Sequence, residues 1–236
     1  MDTREASIAI VDCALGNLQS IRNAFAQVGV EAFVTSDPGC IEAAHAVVLP
    51  GVGAFGDAMQ VLSEHDLVDV LRGVAESGKP LIGICLGMQL LLSESEEFGR
   101  HQGLGIIPGR VRRFSPPHRS PDGLFDAGQK VPQVGWNRIS PPPQKTADIH
   151  WKDSPLEGVE PDTYMYFMHS YFTEPEDPGV ALCTTRYAGV EYCSALRADN
   201  VVAFQFHPER SAVQGLAIYR NLVRLAQRHR SNSNTV

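Results

Sequence analysis

KPLIGICLGMQLLLSESEE, residues 79–97, runs an apolar strand directly into an apolar helix with no loop between them. The run PLIGI is apolar throughout, as suits a strand buried on both faces of a parallel sheet. At the junction stands Gly83-Ile84-Cys85-Leu86-Gly87. A reactive side chain on a sharp strand-to-helix turn needs small residues two positions either side, because a Cβ there would clash. Such a turn lifts the sulfur out of the sheet, and the N–H groups and dipole of the following helix favour the thiolate. The competing reading makes Cys85 a small apolar member of a core helix, as most free cysteines are, and it leaves both glycines unexplained.

Upstream, short β-branched runs alternate with amphipathic segments: SIAIVDC, NLQSIRNAFAQVG, EAFVTS and AHAVVLP, then a helical stretch. This is βαβ rhythm. Leu18, Ile21, Ala24, Phe25 and Val28 make one apolar stripe, and Gly29 ends that helix where a left-handed residue costs little. Downstream, SPPHRSPDG and SPPPQKTAD read as loops, while TYMYFMHSYF, VALCTTRYA, VEYCSALRA and VVAFQFH read as strands spaced as hairpins. The pattern predicts an α/β fold with a mixed, mostly parallel sheet flanked by helices and carrying an antiparallel extension. A last helix over residues 212–229 is expected to bury Leu216, Tyr219, Leu222, Val223 and Ala226. Residues 1–230 read as one domain, with 231–236 as a disordered tail.

A cysteine nucleophile in acyl transfer needs a histidine to hold the proton and return it to the leaving amine. Among eight histidines, His207 ends the apolar run VVAFQF and is followed by Pro208 and Glu209. Proline keeps this segment extended, so the side chains of His207 and Glu209 project to one side and the carboxylate can fix the imidazole tautomer. Alone, the triplet would be read as a surface turn. Coupled to the elbow, it completes a Cys85–His207–Glu209 constellation. His45, His65, His101, His118, His150 and His229 have no acid so placed and read as surface residues. Cys13, Cys40, Cys183 and Cys193 read as filler or core.

Gly51-Val52-Gly53-Ala54-Phe55-Gly56 formally matches the dinucleotide fingerprint, with Glu76 further on. That fingerprint belongs on the first βα turn, whereas this one follows the third strand and Pro50. A glycine loop above strand ends can instead aim N–H groups at a developing oxyanion, with the N–H of Leu86 as second donor. A dinucleotide-dependent oxidoreductase is the alternative from another class.

The chain has 236 residues, 43% of them hydrophobic, with a formal charge of −7, so no basic field marks a nucleic-acid partner. No apolar run approaches the roughly 20 residues of a membrane span, and no targeting segment is evident. Five cysteines without CxxC spacing fit a reducing cytoplasm. No metal-ligand spacing and no cofactor motif beyond the weak glycine match is present.

PGVGAF, GICLGMQLL, SESEEFG and FHPERS together resemble the class I, triad-type glutamine amidotransferases. IVDCALGNLQS, KVPQVGWN and FMHSY narrow the resemblance to the glutaminase subunits of imidazole glycerol phosphate synthase, in order from about residue 7 to about 226. The resemblance implies a flavodoxin-like fold, the triad Cys85, His207 and Glu209, and an oxyanion site at Gly51, Val52, Gly53 and Leu86. It further implies that Gln89, Glu97, Ser170 and Tyr171 hold L-glutamine, and that His169 is a structural or partner-facing neighbour. The family has a tyrosine where Cys13 stands, His-Met where Gln133-Val134 stands, and a lysine at Arg210; the loop around residues 115–130 is longer than usual.

This chain carries no P-loop, second domain or arginine cluster for a phosphorylated acceptor. By resemblance, ammonia passes to a (β/α)8-barrel cyclase subunit in a heterodimer. That subunit makes imidazole glycerol phosphate and an aminoimidazole carboxamide nucleotide in histidine biosynthesis. Trp136 and Asn137 read either as interface or hinge residues or, for Trp136, as core. Within the same superfamily the alternative is a paralogue feeding surface-sugar amidination, pyridoxal phosphate or cobalamin synthesis.

Overall fold

The apolar runs of the N-terminal half are strands. β1 (Ile8–Val11) leads through α1 (Leu18–Gln27) to β2 (Ala32–Thr35), and α2 (Pro38–Ala43) leads to β3 (Ala46–Leu49). From there α3 (Phe55–Glu64) and α4 (Leu67–Glu76) lead to β4 (Leu81–Ile84) in the computed structural model, which describes residues 6–12, 16–115, 130–143 and 145–233. The Asn17 side chain caps α1, which buries Ile21, Ala24 and Phe25; Gly29 follows with φ +87°. The short α2 has no apolar stripe to announce it. It is held by its N-terminus, where Asp37 accepts from the Cys40 N–H at 2.7 Å and Pro38 takes a first-turn place.

After Cys85 the helix expected to run on is short. α5 (Leu86–Leu90) has only five residues, and Leu92–Ser95 is a strand, β5. Pairing overrides helical pattern here, because β5 finds a parallel partner in β7 (Ile107–Arg113), with Leu92 opposite Ile107. β6 (His101–Gln102) closes that edge. Then come β8 (Gln133–Ile139), α6 (Ala147–His150), β9 (Thr163–His169), β10 (Tyr171–Pro175), β11 (Ala181–Tyr187), β12 (Val190–Ala198), β13 (Val201–Phe204) and α7 (Ala212–Ser233).

The main sheet has the order β2-β1-β3-β4-β13-β12-β10-β7-β5-β6, with β11 paired to β12. From β2 to β13 every pairing is parallel, in the flavodoxin-like order, and the antiparallel extension begins at β12. The expected mixed α/β sheet is therefore present, with one correction. TYMYFMHSYF is not one strand: it divides at Ser170, so that β10 joins the sheet while β9 pairs with β8 as a separate two-stranded ribbon.

Successive residues of the parallel strands face opposite cores. Ile82 and Ile84 join Phe25 and Tyr219 on one side; Leu81 joins Leu62 and Leu71 on the other. α7 buries Tyr219, Leu222, Val223 and Ala226 as expected, but Ile218 is fully buried and Leu216 only partly. The helix also continues through 231–233, residues expected in a disordered tail; 234–236 lie outside the described residues. Among the described residues no helix is long and apolar enough to cross a membrane.

Candidate active site

β4 and β13 are neighbours in the sheet, so the chain leaves their adjacent C-terminal ends at Cys85 and at His207. Open α/β sheets bind ligands at this edge. Cys85 has φ +55° and ψ −110°, a conformation that costs a non-glycine residue about 1–3 kcal/mol and persists only where its surroundings enforce it. The glycines supply that enforcement. A Cβ on Gly87 would lie 1.8 Å from the Leu49 carbonyl oxygen, and one on Gly83 would lie 3.0 Å from Ala203 Cβ and from the Gly87 carbonyl oxygen. α5 thus sits directly on the β3 backbone, and the elbow bends because nothing else fits. A helix of five residues carries little macrodipole, so the expected dipole contribution to a thiolate is small.

His207 Nδ1 and Glu209 Oε1 are 2.8 Å apart, with both side chains almost fully buried. The segment is not extended as expected: Pro208–Arg210 forms a 3-10 turn, entered by Pro208 in its first-turn place, and this turn brings the Glu209 carboxylate back to the ring. The backbone is clamped as well: the His207 N–H donates to the Tyr166 carbonyl at 2.8 Å, and Ser211 Oγ donates to the His207 carbonyl at 2.6 Å. His207 Nε2 is buried with no hydrogen-bond partner among the described residues. Burial works against a charged ring, but the nearby Cys85 sulfur and then Glu209 outweigh it and raise the His207 pKa to about 10. The stabilisation from protonated His207 is therefore present below the unfolded value near 6.5 and is lost as pH rises through about 10. A protonated ring at neutral pH is the charge partner of a thiolate, the nucleophilic form of cysteine. In its thiol form Sγ can donate to the Met168 carbonyl, 3.7 Å away.

In front of Cys85 lies a cavity of about 200 Å³ lined in part by Val52, Gly53, Leu86, Gln89, Glu97, Ser170 and Tyr171. Of the expected substrate residues, Gly51 stands just behind this wall, against Leu86. His207 and Glu209 do not line the cavity. Glu97 Oε2 accepts from the Phe55 N–H at 2.7 Å, and burial raises the carboxyl pKa. Gln89 Nε2 donates to the Tyr171 carbonyl at 3.0 Å and to Gln205 Oε1 at 3.1 Å. The volume is below the roughly 300–1,000 Å³ of drug-sized sites. The glycine loop contributes Val52 and Gly53 to the wall of this cavity and follows β3, not the first βα turn where a dinucleotide fingerprint belongs.

Gln205 escaped the sequence reading. It is fully buried, and its Nε2 lies 3.9 Å from Cys85 Sγ. The available signal was a lone polar residue inside VVAFQFH, two before His207 and hence on the same side of an extended chain. His169 is internal, not partner-facing: Nδ1 bonds the Tyr171 carbonyl at 2.7 Å, Nε2 meets Tyr192 Oη at 3.2 Å, and burial lowers its pKa to about 4. His45 and His150, read as surface residues, are half-buried and bonded to the Ser7 N–H and the Ala181 carbonyl. Cys183 and Cys193 are buried and Cys40 is exposed. Cys13, His118 and most of the 115–130 loop lie outside the described residues. Among the described residues, no group of three or more His, Cys, Asp or Glu could hold a metal ion.

An elbow cysteine, a buried imidazole–carboxylate pair and a small cavity at the C-terminal sheet edge are the parts that cysteine-dependent acyl transfer requires. The family model for class I glutamine amidotransferases matches residues 9–224, and the chain belongs to that family. Its fold agrees with solved members. A glutamine amidotransferase crystal structure superposes with a TM-score of 0.67 at 20% identity, covering 93% of this chain and 98% of that one. The glutaminase domain of Trypanosoma brucei CTPS superposes with a TM-score of 0.60 at 15% identity, with 94% of each chain covered. Sequence relatives fix the branch. The imidazole glycerol phosphate synthase subunit HisH of Methanothermobacter thermautotrophicus is 48% identical over 219 residues, 92% of this chain and 98% of that one. The HisH subunit of Geobacter metallireducens is 44% identical over 218 residues, 92% of this chain and 97% of that one.

Proposed function

We propose that this chain hydrolyses L-glutamine to glutamate and ammonia as the glutaminase subunit of an imidazole glycerol phosphate synthase, in the cytoplasm, with residues 1–230 acting as one domain. Cys85 Sγ attacks the carboxamide carbon, and the oxygen becomes an anion held by N–H groups of the Val52–Gly53 loop and of Leu86. His207 gives its proton to the departing nitrogen, which leaves as ammonia, and a thioester remains on Cys85. Water then gives a proton to His207 and its hydroxide adds to the thioester carbon. The carbon–sulfur bond breaks, glutamate leaves, and the thiolate–imidazolium pair returns. Glu209 keeps the ring in one tautomer. Glu97 is the charge partner for the substrate ammonium, with Gln89, Ser170 and Tyr171 shaping the rest of the cavity. The observation that carries this reading is the strained cysteine elbow held beside a buried His207–Glu209 pair.

Ammonia made here is consumed by a partner subunit, for which the reading assigns a (β/α)8-barrel cyclase. The β8–β9 ribbon supports a docking face beside the site. Val134, Trp136, Tyr164 and Met168 are exposed on it, Trp136 packs edge-on to Tyr166, and the Arg210 guanidinium lies 4.2 Å above the Tyr166 ring. Trp136, left open between core and interface, is 53% exposed, whereas Asn137 spends its amide on the Arg186 carbonyl at 3.0 Å. Large aromatic and arginine side chains gathered on one patch are the usual anchors of an interface. The expected result is slow glutamate release by the chain alone and release at least roughly tenfold faster with the cyclase and its nucleotide ligand present, a coupling of about 1.4 kcal/mol. Equal rates with and without the cyclase would refute the coupling.

A further inference from the structure

Behind the His207–Glu209 pair, two buried polar atoms have no partner among the described residues: Glu209 Oε2 and Tyr219 Oη. Only one of the two carboxylate oxygens is engaged, by His207 Nδ1, although the side chain is 2% exposed. A buried carboxylate oxygen and a buried hydroxyl are costly to leave without partners, the charged group more so. Such atoms persist in native proteins where they serve one another or a function.

α7 packs against the turn that carries Glu209, and the Glu209 charge is felt at the Tyr219 hydroxyl. A Cβ on Gly215 would lie 1.8 Å from the Pro208 carbonyl oxygen and 3.1 Å from Ser211 Cβ, so the first turns of α7 rest directly on the 3-10 turn that carries Glu209. Tyr219 follows Gly215 by four residues and so shares that helix face. Its ring is fully buried, packed edge-on against Phe25 with centroids 4.7 Å apart, and has no freedom to seek solvent. Burial, and then the Glu209 charge, hold the Tyr219 hydroxyl protonated far beyond neutral pH, so it can only act as a donor toward that carboxylate.

We propose that Tyr219 is the positioning residue behind the acid: its hydroxyl donates to a bridging water that in turn donates to Glu209 Oε2, and so keeps Oε1 aimed at His207. Four groups then act in line, Cys85, His207, Glu209 and Tyr219, drawn from the elbow, the end of β13, the 3-10 turn and α7. His169 on β9 also faces His207 and stays neutral. This inference rests on the glutaminase reading and deepens it. Without the hydroxyl, Glu209 can swing away and the ring loses its brace.

The test is Tyr219→Phe, which keeps the ring packed on Phe25. In the complex with the cyclase, glutaminase kcat should fall roughly tenfold with KM for glutamine unchanged, the scale of losing an orienting outer partner. The ¹⁵N-detected titration of His207 should move down from about 10, part of the way that Glu209→Gln moves it. A packing role alone would change stability but neither readout. If Tyr219→Phe superimposes on the parent in kcat and in the His207 titration while Glu209→Gln reduces both, this inference fails and the triad stands. If Glu209→Gln itself leaves kcat unchanged, the triad reading fails and takes the inference with it.

Discussion

Cys85→Ala should reduce glutamine-dependent turnover of the complex by at least roughly 10⁴-fold, the scale seen when a nucleophile is removed from a catalytic triad. Turnover supplied with ammonium salt should be retained. The two activities divide because Sγ forms the only covalent bond to glutamine, whereas free ammonia bypasses that step and needs only the partner's site. The replacement is small and buried, at a position already 5% exposed, and removes no hydrogen bond on which the fold depends. Steady-state assays with each nitrogen source decide the matter. Loss of both activities would make Cys85 structural, and retention of both would place the chemistry elsewhere.

Gly87→Ala should be strongly destabilising. The added methyl would need to occupy a point 1.8 Å from the Leu49 carbonyl oxygen, a backbone atom of a central strand that cannot yield without parting α5 from β3. Overpacking against backbone of this kind lies at the far end of single-substitution effects, and about 4 kcal/mol or outright failure to fold is expected. Gly73 provides the control. It sits inside α4 with nothing within 4 Å of the point its methyl group would occupy, so Gly73→Ala should be stabilising by about 0.5–1 kcal/mol. Urea unfolding of both variants measures the contrast. A Gly87→Ala protein within about 1 kcal/mol of the parent would show that the elbow does not depend on close approach.

Much of this was legible in the residues, for reasons that differ along the chain. Gly83, Cys85 and Gly87 announced the elbow because sterics at such a turn leave few choices; His207 and Glu209 were paired correctly from the His-Pro-Glu triplet, but through a 3-10 turn and not through the extended segment expected. β3 and β4 were readable as members of a parallel sheet since each is an uninterrupted apolar run, Ala46–Leu49 and Leu81–Ile84, whereas β13 was read from its spacing as a hairpin strand and its parallel place beside β4 was not. Long-range pairing was not readable. Leu92–Ser95 continues a helical pattern yet becomes a strand because β7 lies beside it, and the break at Ser170 between β9 and β10 depends on β8, far upstream in the chain. The contribution of Gln205 and Tyr219 depends on where a side chain ends after packing, which periodicity alone does not encode. The lining residues Gln89, Glu97, Ser170 and Tyr171 came only from resemblance, for no local pattern distinguishes a glutamine cavity from ordinary core.

Reaction with an electrophilic glutamine analogue, followed by peptide mapping, tests the central claim most directly. Cys40 is exposed and Cys85 is buried at the floor of a small cavity, so a simple thiol reagent should modify Cys40 first. The glutamine-shaped reagent should reverse that order and modify Cys85 alone, with the reaction slowed by added glutamine. Labelling of Cys40 with Cys85 untouched would contradict the assignment of Cys85 as the glutamine-directed nucleophile.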